Sequence, residues 1–212
     1  MGEGTVASEQ TDGRHVRRER SRAAIVSAAF ELILEGKGPP SAEDVAERAG
    51  VSVSSIFRNF DGLTDIQQQA HELFRQRYSD LLHAEPPPGV DLDERIAFFV
   101  RTRLRLYEQA SPLMAIARRR ALESDAWRAD IGTTRAVLRD QLRTCFAIEL
   151  DERTPSDAAD VLSILDALTS PEAFELLTTT HARTKRHLTR SWTLAIHAVL
   201  AGWPSRTRPP EK

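Results

Sequence analysis

Residues 41–60 read SAEDVAERAGVSVSSIFRNF, and this stretch decides the fold. Ser41 can cap a short helix that we predict over 42–48, because Asp44 follows three residues later in a capping-box arrangement. Gly50 then allows a tight turn, since glycine adopts the left-handed conformation at low cost. Ser52 can cap a second short helix over 53–59. Two short helices joined by a glycine-containing turn form a helix-turn-helix unit.

The side chains of this stretch divide into an inner and an outer set. The inner set would brace the two helices: Val45, Ala46, Ala49, Val51, Ile56 and Phe60. The outer set would lie wholly or partly at the surface: Val53, Ser54, Ser55, Phe57, Arg58 and Asn59. A DNA major groove admits a helix with its side chains. A plain helical hairpin has the same spacing, and the polar outer set favours the DNA-binding interpretation.

The rest of the chain shows helical periodicity, which predicts an all-α fold. An apolar stripe predicts a helix over 18–35 before the helix-turn-helix. Further helices are predicted over 63–83, 93–109, 112–122, 126–148, 155–168, 171–180 and 187–202. We therefore expect a disordered, basic arm over 1–16, a three-helix domain with the helix-turn-helix over 17–62, a larger helical domain over 63–203 and a disordered tail over 204–212.

Charge and composition narrow the class of protein. The net charge is only -2, but five arginines crowd between residues 14 and 22, which is where a phosphate backbone would be met. The apolar runs are too short to cross a bilayer, and residues 1–13 lack the pattern of a signal peptide. A cytoplasmic protein without a membrane partner is therefore expected. Cys145 is the single cysteine, so an internal disulfide is excluded and a small buried side chain is expected.

Motifs for catalysis are missing from the sequence. The six histidines show no metal-ligand spacing with Asp, Glu or Cys. No glycine-rich phosphate loop and no nucleophile motif occurs. We therefore expect no enzyme activity, no cofactor and no metal.

The stretch 41–60 resembles the DNA-binding signature of the TetR (tetracycline-repressor) family. Members typically read Thr, x, x, Asp, Ile, Ala, x, x, Ala, Gly, Val, Ser, x, Gly, Thr, Leu, Tyr, x, His, Phe there. The helix over 20–35, with AAFEL at 28–32, is similar to the family's first helix. The other two thirds of the chain match only in length and helicity. The resemblance implies a homodimeric, ligand-responsive repressor that binds a two-fold DNA operator. It implies that 17–62 binds DNA and that 63–203 binds a ligand and dimerises.

The resemblance also implies roles for individual residues. Ser41 would meet a phosphate at the helix N-terminus, and the helix from Ser52 to Asn59 would be the recognition helix. The implied DNA contacts are Arg17, Arg18, Arg20, Ser41, Ser52, Val53, Ser54, Ser55, Phe57, Arg58 and Asn59.

Three positions depart from the family pattern. Val53 stands where lysine is common, Phe57 where tyrosine is usual, and Leu63 where a lysine usually meets the backbone. Each change removes a phosphate contact. We expect the arginine arm to compensate and Val53 to touch a thymine methyl group. The alternative is that the arginines form only a solvated flank.

A ligand cavity is expected in the C-terminal domain, because a repressor needs a second state that a ligand can favour. The candidate lining mixes apolar bulk with a few polar tips: Phe98, Phe99, Arg103, Tyr107, Met114, Trp127 and Ile131. Each of them could instead be ordinary core. Arg103 needs a partner, which could be an internal carboxylate or an acidic ligand.

The last long helices carry apolar faces that suggest a dimer. The candidate interface residues are Val161, Ile164, Leu165, Leu168, Trp192, Ile196 and Val199. A self-complementary interface suits a two-fold operator. The alternative is that these faces close the monomer's own core. For the whole protein, the alternatives to a repressor are an activator, a helical interaction or scaffold protein that has lost DNA binding, or an enzyme.

Overall fold

The computed structural model describes the backbone of residues 5–203 and the side chains of residues 15–203. Every regular element in that range is helical, which confirms the predicted all-α class. No helix among these residues is both long and apolar enough to cross a membrane. The predicted tail over 204–212 and the first four residues of the predicted arm lie outside the described residues.

Three helices form the N-terminal unit: α1 (Thr5–Leu34), α2 (Ala42–Ala49) and α3 (Val53–Asn59). Ser41 and Asp44 close a reciprocal capping box at the start of α2. Gly50 ends α2 in the left-handed conformation, with φ of 66°. The Ser52 hydroxyl accepts a hydrogen bond from the backbone N–H of Ser55 at 3.2 Å and so starts α3. These local signals explain why the two short helices lie where the sequence predicts them.

The N-terminal end of α1 differs from the prediction. A disordered arm is expected over 1–16, whereas the structure has one helix from Thr5 to Leu34. Residues 5–16 contain no proline and only one glycine, Gly13, so the backbone can continue the helix. Arg17, Arg18 and Arg20 are therefore helical residues and do not belong to a disordered arm.

Eight further helices form the C-terminal unit. They are α4 (Leu63–Arg77), α5 (Ser79–Leu82), α6 (Leu92–Ala121), α7 (Asp125–Cys145), α8 (Ala147–Asp151), α9 (Pro155–Leu168), α10 (Pro171–Glu175) and α11 (Lys185–Gly202), with a π-helical turn over Leu176–Thr180. The predicted helices over 63–83 and 126–148 are each divided in two, at Tyr78 and Phe146. Both rings are buried, and both residues have non-helical backbone angles.

The prediction of separate helices over 93–109 and 112–122 is wrong, because α6 runs through Pro112. A proline inside a helix removes one backbone hydrogen bond and costs about 3 kcal/mol. Burial of Ala110, Leu113 and Met114 on either side offsets this cost. A Cβ atom on Gly36, just after α1, would lie 3.9 Å from Cγ of Pro112, so this part of α6 packs beside the N-terminal unit.

Two buried apolar clusters hold the molecule together, and α4 contributes to both. The smaller cluster lies in the N-terminal unit: Ile25, Ala28, Ala29, Val45, Ala46, Ile56, Phe60 and, from α4, Ile66. Ala70 and Phe74 of α4 belong to the larger cluster, which also contains Phe99, Tyr107 and Trp192. The helix that follows α3 is therefore a rigid link between the two units.

Candidate nucleic-acid interface

The outer face of α3 is formed by Ser54, Phe57 and Arg58, whose side chains are exposed. Their i, i+3, i+4 spacing places them side by side on one face of the helix. On the opposite face, Ile56 is fully buried. Val53 is half-buried against the smaller cluster. The face that α3 presents to solvent thus combines a hydroxyl, an aromatic ring and a guanidinium group.

The serines at the start of α3 form a hydrogen-bonded group. Oγ of Ser52 lies 2.9 Å from Oγ of Ser54 and 2.9 Å from Oγ of Ser55. Nη2 of Arg58 donates to Oγ of Ser55 at 2.8 Å. These contacts hold the polar side chains near the outer face of α3. A serine or Arg58 that binds DNA must exchange one of these partners for a base edge or a phosphate.

Asn59 is half-buried and is held by the backbone of its own helix. Its Nδ2 donates to the carbonyl oxygen of Ser55 at 2.7 Å, so this donor is engaged within the protein. The backbone carbonyl of Asn59 accepts a hydrogen bond from Nη1 of Arg22. These contacts fix the C-terminal end of α3.

Arg22 is a residue that sequence reasoning did not assign to the site. Its guanidinium carbon lies 4.3 Å from the ring centroid of Phe60, in addition to the hydrogen bond to Asn59. A cation at the C-terminal end of a helix is favoured by the helix dipole, and one over an aromatic ring by the ring quadrupole. Arg22 thereby connects α1 to α3. In the sequence, the signal that could have predicted this role is the position of Arg22 one helical turn after Arg18.

One of the predicted arginines of α1, Arg18, lies beside this end of α3. The side chains of Arg17, Arg18 and Arg20 are all exposed. Arg18 lines a groove of about 290 Å³ together with Arg22, Phe57, Arg58, Asn59, Phe60, Asp61, Asp65 and Gln69. The groove therefore combines three guanidinium groups with two carboxylates.

Ser41 lies at the start of α2, where the sequence predicts a phosphate contact, but the carboxylate of Asp44 lies at the same place. Oγ of Ser41 donates to Oδ2 of Asp44 at 2.7 Å, and the backbone N–H of Ser41 donates to the same oxygen at 3.0 Å. These hydrogen bonds hold the pKa of the Asp44 carboxyl below its ordinary value. A DNA phosphate approaching Ser41 would therefore meet a negative charge.

A second candidate site is a cleft between α4, α6, α7 and α10, which we name the central cleft. It is lined by His71, Met114, Ala117, Arg118, Ile131, Thr134, Arg135, Leu138, Pro171 and Glu172. Its volume is about 30 Å³, which is room for about two water molecules. Most of the wall is apolar. Charged side chains from α6, α7 and α10 also border the cleft, where Glu172 forms ion pairs with both Arg118 and Arg135.

Only two of the predicted ligand residues, Met114 and Ile131, line the central cleft. Phe99, Tyr107 and Trp127 are fully buried side chains, and the first two belong to the larger cluster. Phe98 lies in a separate surface groove with Arg101. Helical periodicity identifies buried faces, but it does not distinguish a residue that packs against protein from one that borders a cavity. His71, Ala117 and Leu138 were missed for the same reason.

Arg103 is fully buried, and its partners differ from both kinds that the sequence suggested. Its guanidinium donates to Oη of Tyr107 at 3.1 Å, to the carbonyl oxygen of Leu138 at 2.8 Å and to Oε1 of Gln141 at 3.2 Å. The guanidinium carbon also lies 4.8 Å from the ring centroid of Phe99. Within the protein, neutral oxygens and an aromatic ring thus take the place of the expected internal carboxylate, and an acidic ligand stays a prediction.

His71 connects α4 to α7 at the wall of the central cleft. Its Nδ1 is hydrogen-bonded to a carboxylate oxygen of Asp130, which also pairs with Arg75. Burial lowers the pKa of His71, although the charge of Asp130 opposes this effect. The imidazole packs on Phe74 and Trp127, with ring centroids 5.5 and 5.8 Å away. α4 and α7 are thus joined by polar and aromatic contacts.

The predicted dimer residues separate into two groups. Val161, Leu165, Trp192 and Ile196 are buried in the protein's own core, because α9 and α11 pack on each other and on α6 and α7. For these four, contact with a partner chain stays a prediction, and their burial favours the alternative that these faces close the monomer's own core. Ile164 and Leu168 of α9 are exposed, and Val199 of α11 is half-buried. Leu194 of α11, which was not predicted, is 56% exposed.

Residues that could support other chemistry are sparse in the described part of the chain. No group of three or more His, Cys, Asp or Glu side chains there could hold a metal ion. Burial raises the pKa of the Cys145 thiol to about 11, so it is protonated at neutral pH and a poor nucleophile.

Comparison with known proteins shows a likeness of fold. No protein-family model and no curated protein matches the sequence. A transcriptional regulator from Rhodococcus sp. Rha1 is similar in structure, with a TM-score of 0.65, 21% identity, and coverage of 88% of this chain and 97% of that one. A proposed TetR-family transcriptional regulator from Rhodococcus sp. gives a TM-score of 0.60 at 19% identity, covering 85% and 98%.

A proposed transcriptional regulator from Streptomyces coelicolor A3(2) is a third similar structure. Its TM-score is 0.59 at 21% identity, covering 85% of this chain and 98% of that one. The match therefore spans both units and nearly the full length of each relative. The chain has the fold of these transcriptional regulators, an N-terminal helix-turn-helix unit followed by a larger helical unit, as the resemblance of residues 41–60 to the TetR signature predicted.

Proposed function

We propose that the protein is a DNA-binding transcriptional repressor that a small molecule releases from a two-fold operator. The observation that carries this proposal is the outer face of α3. A seven-residue helix braced by α2 presents Ser54, Phe57 and Arg58 to solvent. Its exposed arginine and serines match the side chains that bind base edges and phosphates in the major groove. The arginines of α1 add cationic charge beside it.

Rigid support of α3 favours a reading function over a plain structural hairpin. Arg22 holds the C-terminal end of α3 through Asn59 and Phe60. Ser52 holds its N-terminal end. A helix fixed at both ends can present its outer face in one orientation, which sequence recognition requires.

A dimer is part of the same proposal. The exposed apolar side chains Ile164, Leu168 and Leu194 lie on α9 and α11. Two copies related by a two-fold axis would cover these side chains on both chains at once. Two recognition helices could then reach half-sites about one helical turn apart.

The central cleft is the proposed site of the ligand. With room for about two water molecules, it must widen to admit anything larger. Widening would separate α4 from α7, which His71 and Asp130 now hold together. α4 begins at Leu63, directly after the helix-turn-helix, and Ile66 packs within that unit. A ligand that favours the widened form would therefore shift α3 and weaken operator binding.

The experiment that tests DNA binding starts from selection of duplexes of about 30 bp from a random library, which allows for two half-sites. Binding of the selected duplex is then measured by fluorescence anisotropy for the wild type, Arg58→Ala and the distant control Arg143→Ala. We expect Arg58→Ala alone to weaken binding, by about 1–3 kcal/mol if it contacts a base. A folded dimer that selects no duplex at about 50 mM salt would refute the proposal and favour a helical interaction protein.

The ligand part is tested separately. A thermal-shift screen of small apolar compounds identifies those that stabilise the protein. Each positive compound is then added to the protein–duplex complex, with Ala117→Val, which adds only two methyl carbons, as a variant whose central cleft is filled. We expect release of the duplex from the wild type and not from the variant. Compounds that stabilise the protein without releasing DNA would contradict the coupling through α4.

A further inference from the structure

Phe57 is the only exposed Phe, Tyr or Trp side chain among those described for residues 15–203, with 57% of its surface accessible. It lies between Ser54 and Arg58 on the outer face of α3. The fold leaves more than half of this side chain in water. An apolar ring in that position gains from the hydrophobic effect only when a partner covers it.

The surroundings of Phe57 favour nucleic acid as that partner. The groove that Phe57 lines also contains the guanidinium groups of Arg18, Arg22 and Arg58, which outnumber the carboxylates of Asp61 and Asp65. Cationic groups around an apolar ring suit a polyanion with some apolar surface better than an apolar protein face. DNA fits this description, because the thymine C5-methyl group is the apolar feature on base edges in the major groove.

The side chain itself excludes other modes of reading. Phenylalanine has no hydrogen-bond donor or acceptor, so it cannot bind a phosphate or a polar base edge. Val53, one turn earlier, is half-buried against the smaller cluster and offers less surface. Of the two apolar side chains on this part of α3, Phe57 extends further into solvent.

We propose that Phe57 is a specificity-determining residue that recognises thymine by packing against its C5-methyl group. This inference rests on the proposed DNA-binding function. It assigns to Phe57 the contact that the sequence suggested for Val53. Each half-site of the operator is then expected to require a thymine at one position.

The test replaces each thymine of the selected duplex in turn by deoxyuridine, which lacks only the methyl group. Affinity is measured for the wild type, for Phe57→Ala and for Val53→Ala. Loss of one buried methyl group should weaken wild-type binding about four-fold, and loss in both half-sites about fifteen-fold. Phe57→Ala should bind the thymine and deoxyuridine duplexes equally well. Val53→Ala should keep the wild-type difference at that thymine.

A second variant guards against a folding defect. Phe57→Gln keeps a good helix former on the surface, and it should also lose the difference between thymine and deoxyuridine. Circular dichroism and the mass in solution confirm that each variant is a folded protein. Equal deoxyuridine effects in the wild type and both Phe57 variants, or no effect in the wild type, would overturn the inference while DNA binding stands. Failure of the wild type to bind any duplex would overturn both.

Discussion

The arginines of α1 should set the salt dependence of DNA binding. Arg17, Arg18 and Arg20 are exposed on α1, and Arg18 borders the groove beside α3. Each phosphate that a cation neutralises adds about 0.9 to the slope of log affinity against log salt. A dimer that uses three such arginines in each protomer therefore gains a slope steeper by about 5.

The measurement compares the wild type with a variant in which these three arginines are glutamines. Glutamine maintains the helix while it removes the charge. Between about 0.1 and 0.3 M salt, the affinity of the wild type should fall about 400-fold more than that of the variant. Fluorescence anisotropy on the selected duplex gives both slopes. The matched control makes the same change at Arg101, Arg105 and Arg143, whose side chains are exposed on α6 and α7.

The result can refute the reasoning in two ways. A slope that changes by less than about 1 would mean that these arginines do not meet phosphates. Equal changes in the variant and the control would mean that net charge alone sets the salt dependence. Either result would support the interpretation of the α1 arginines as a solvated flank.

Three other substitutions probe the large unit. Arg95 is buried beside Glu149, with Nη2 2.5 Å from Oε1. Arg95→Met should lower the free energy of unfolding by about 3–5 kcal/mol in chemical denaturation, because it leaves the Glu149 carboxylate without its partner. Adding Glu149→Leu to this variant should recover much of the loss. Because burial lowers the pKa of His71, the contribution of this residue to stability should be complete above pH 6.5, the ordinary pKa of histidine. Below that pH, the free energy of unfolding measured by urea titration should decline by at most about 1.4 kcal/mol per pH unit. His71→Asn should make this decline smaller. Leu194→Glu should weaken dimerisation about 100-fold or more in analytical ultracentrifugation, whereas Leu122→Glu, at another exposed leucine, should leave it unchanged.

The helix-turn-helix could be predicted closely because its signals are local. Ser41, Gly50 and Ser52 act within one turn of where they stand, so the bounds of α2 and α3 follow from the sequence. The course of α6 could not be predicted in this way. Pro112 is a local helix breaker, and only burial of its neighbours in the tertiary structure shows why the helix continues.

The candidate sites were less accessible to sequence reasoning. Arg22 lies 37 residues from the carbonyl that it binds, and no periodicity reports a contact of that kind. Arg103 shows the reverse problem, because its charge suggested a charged partner while distant neutral oxygens accept hydrogen bonds from its Nη2. Periodicity gives the buried face of a helix, whereas the position of a cavity depends on how several faces fit together.

The sharing of α4 between the two apolar clusters has a consequence for unfolding. Ile66 and Phe74 lie on one continuous helix, but each is buried in a different cluster. Loss of either cluster would expose part of that helix and remove support from the other. The two units are therefore thermodynamically linked, and damage deep in the larger one lowers the fraction of molecules whose smaller unit is folded.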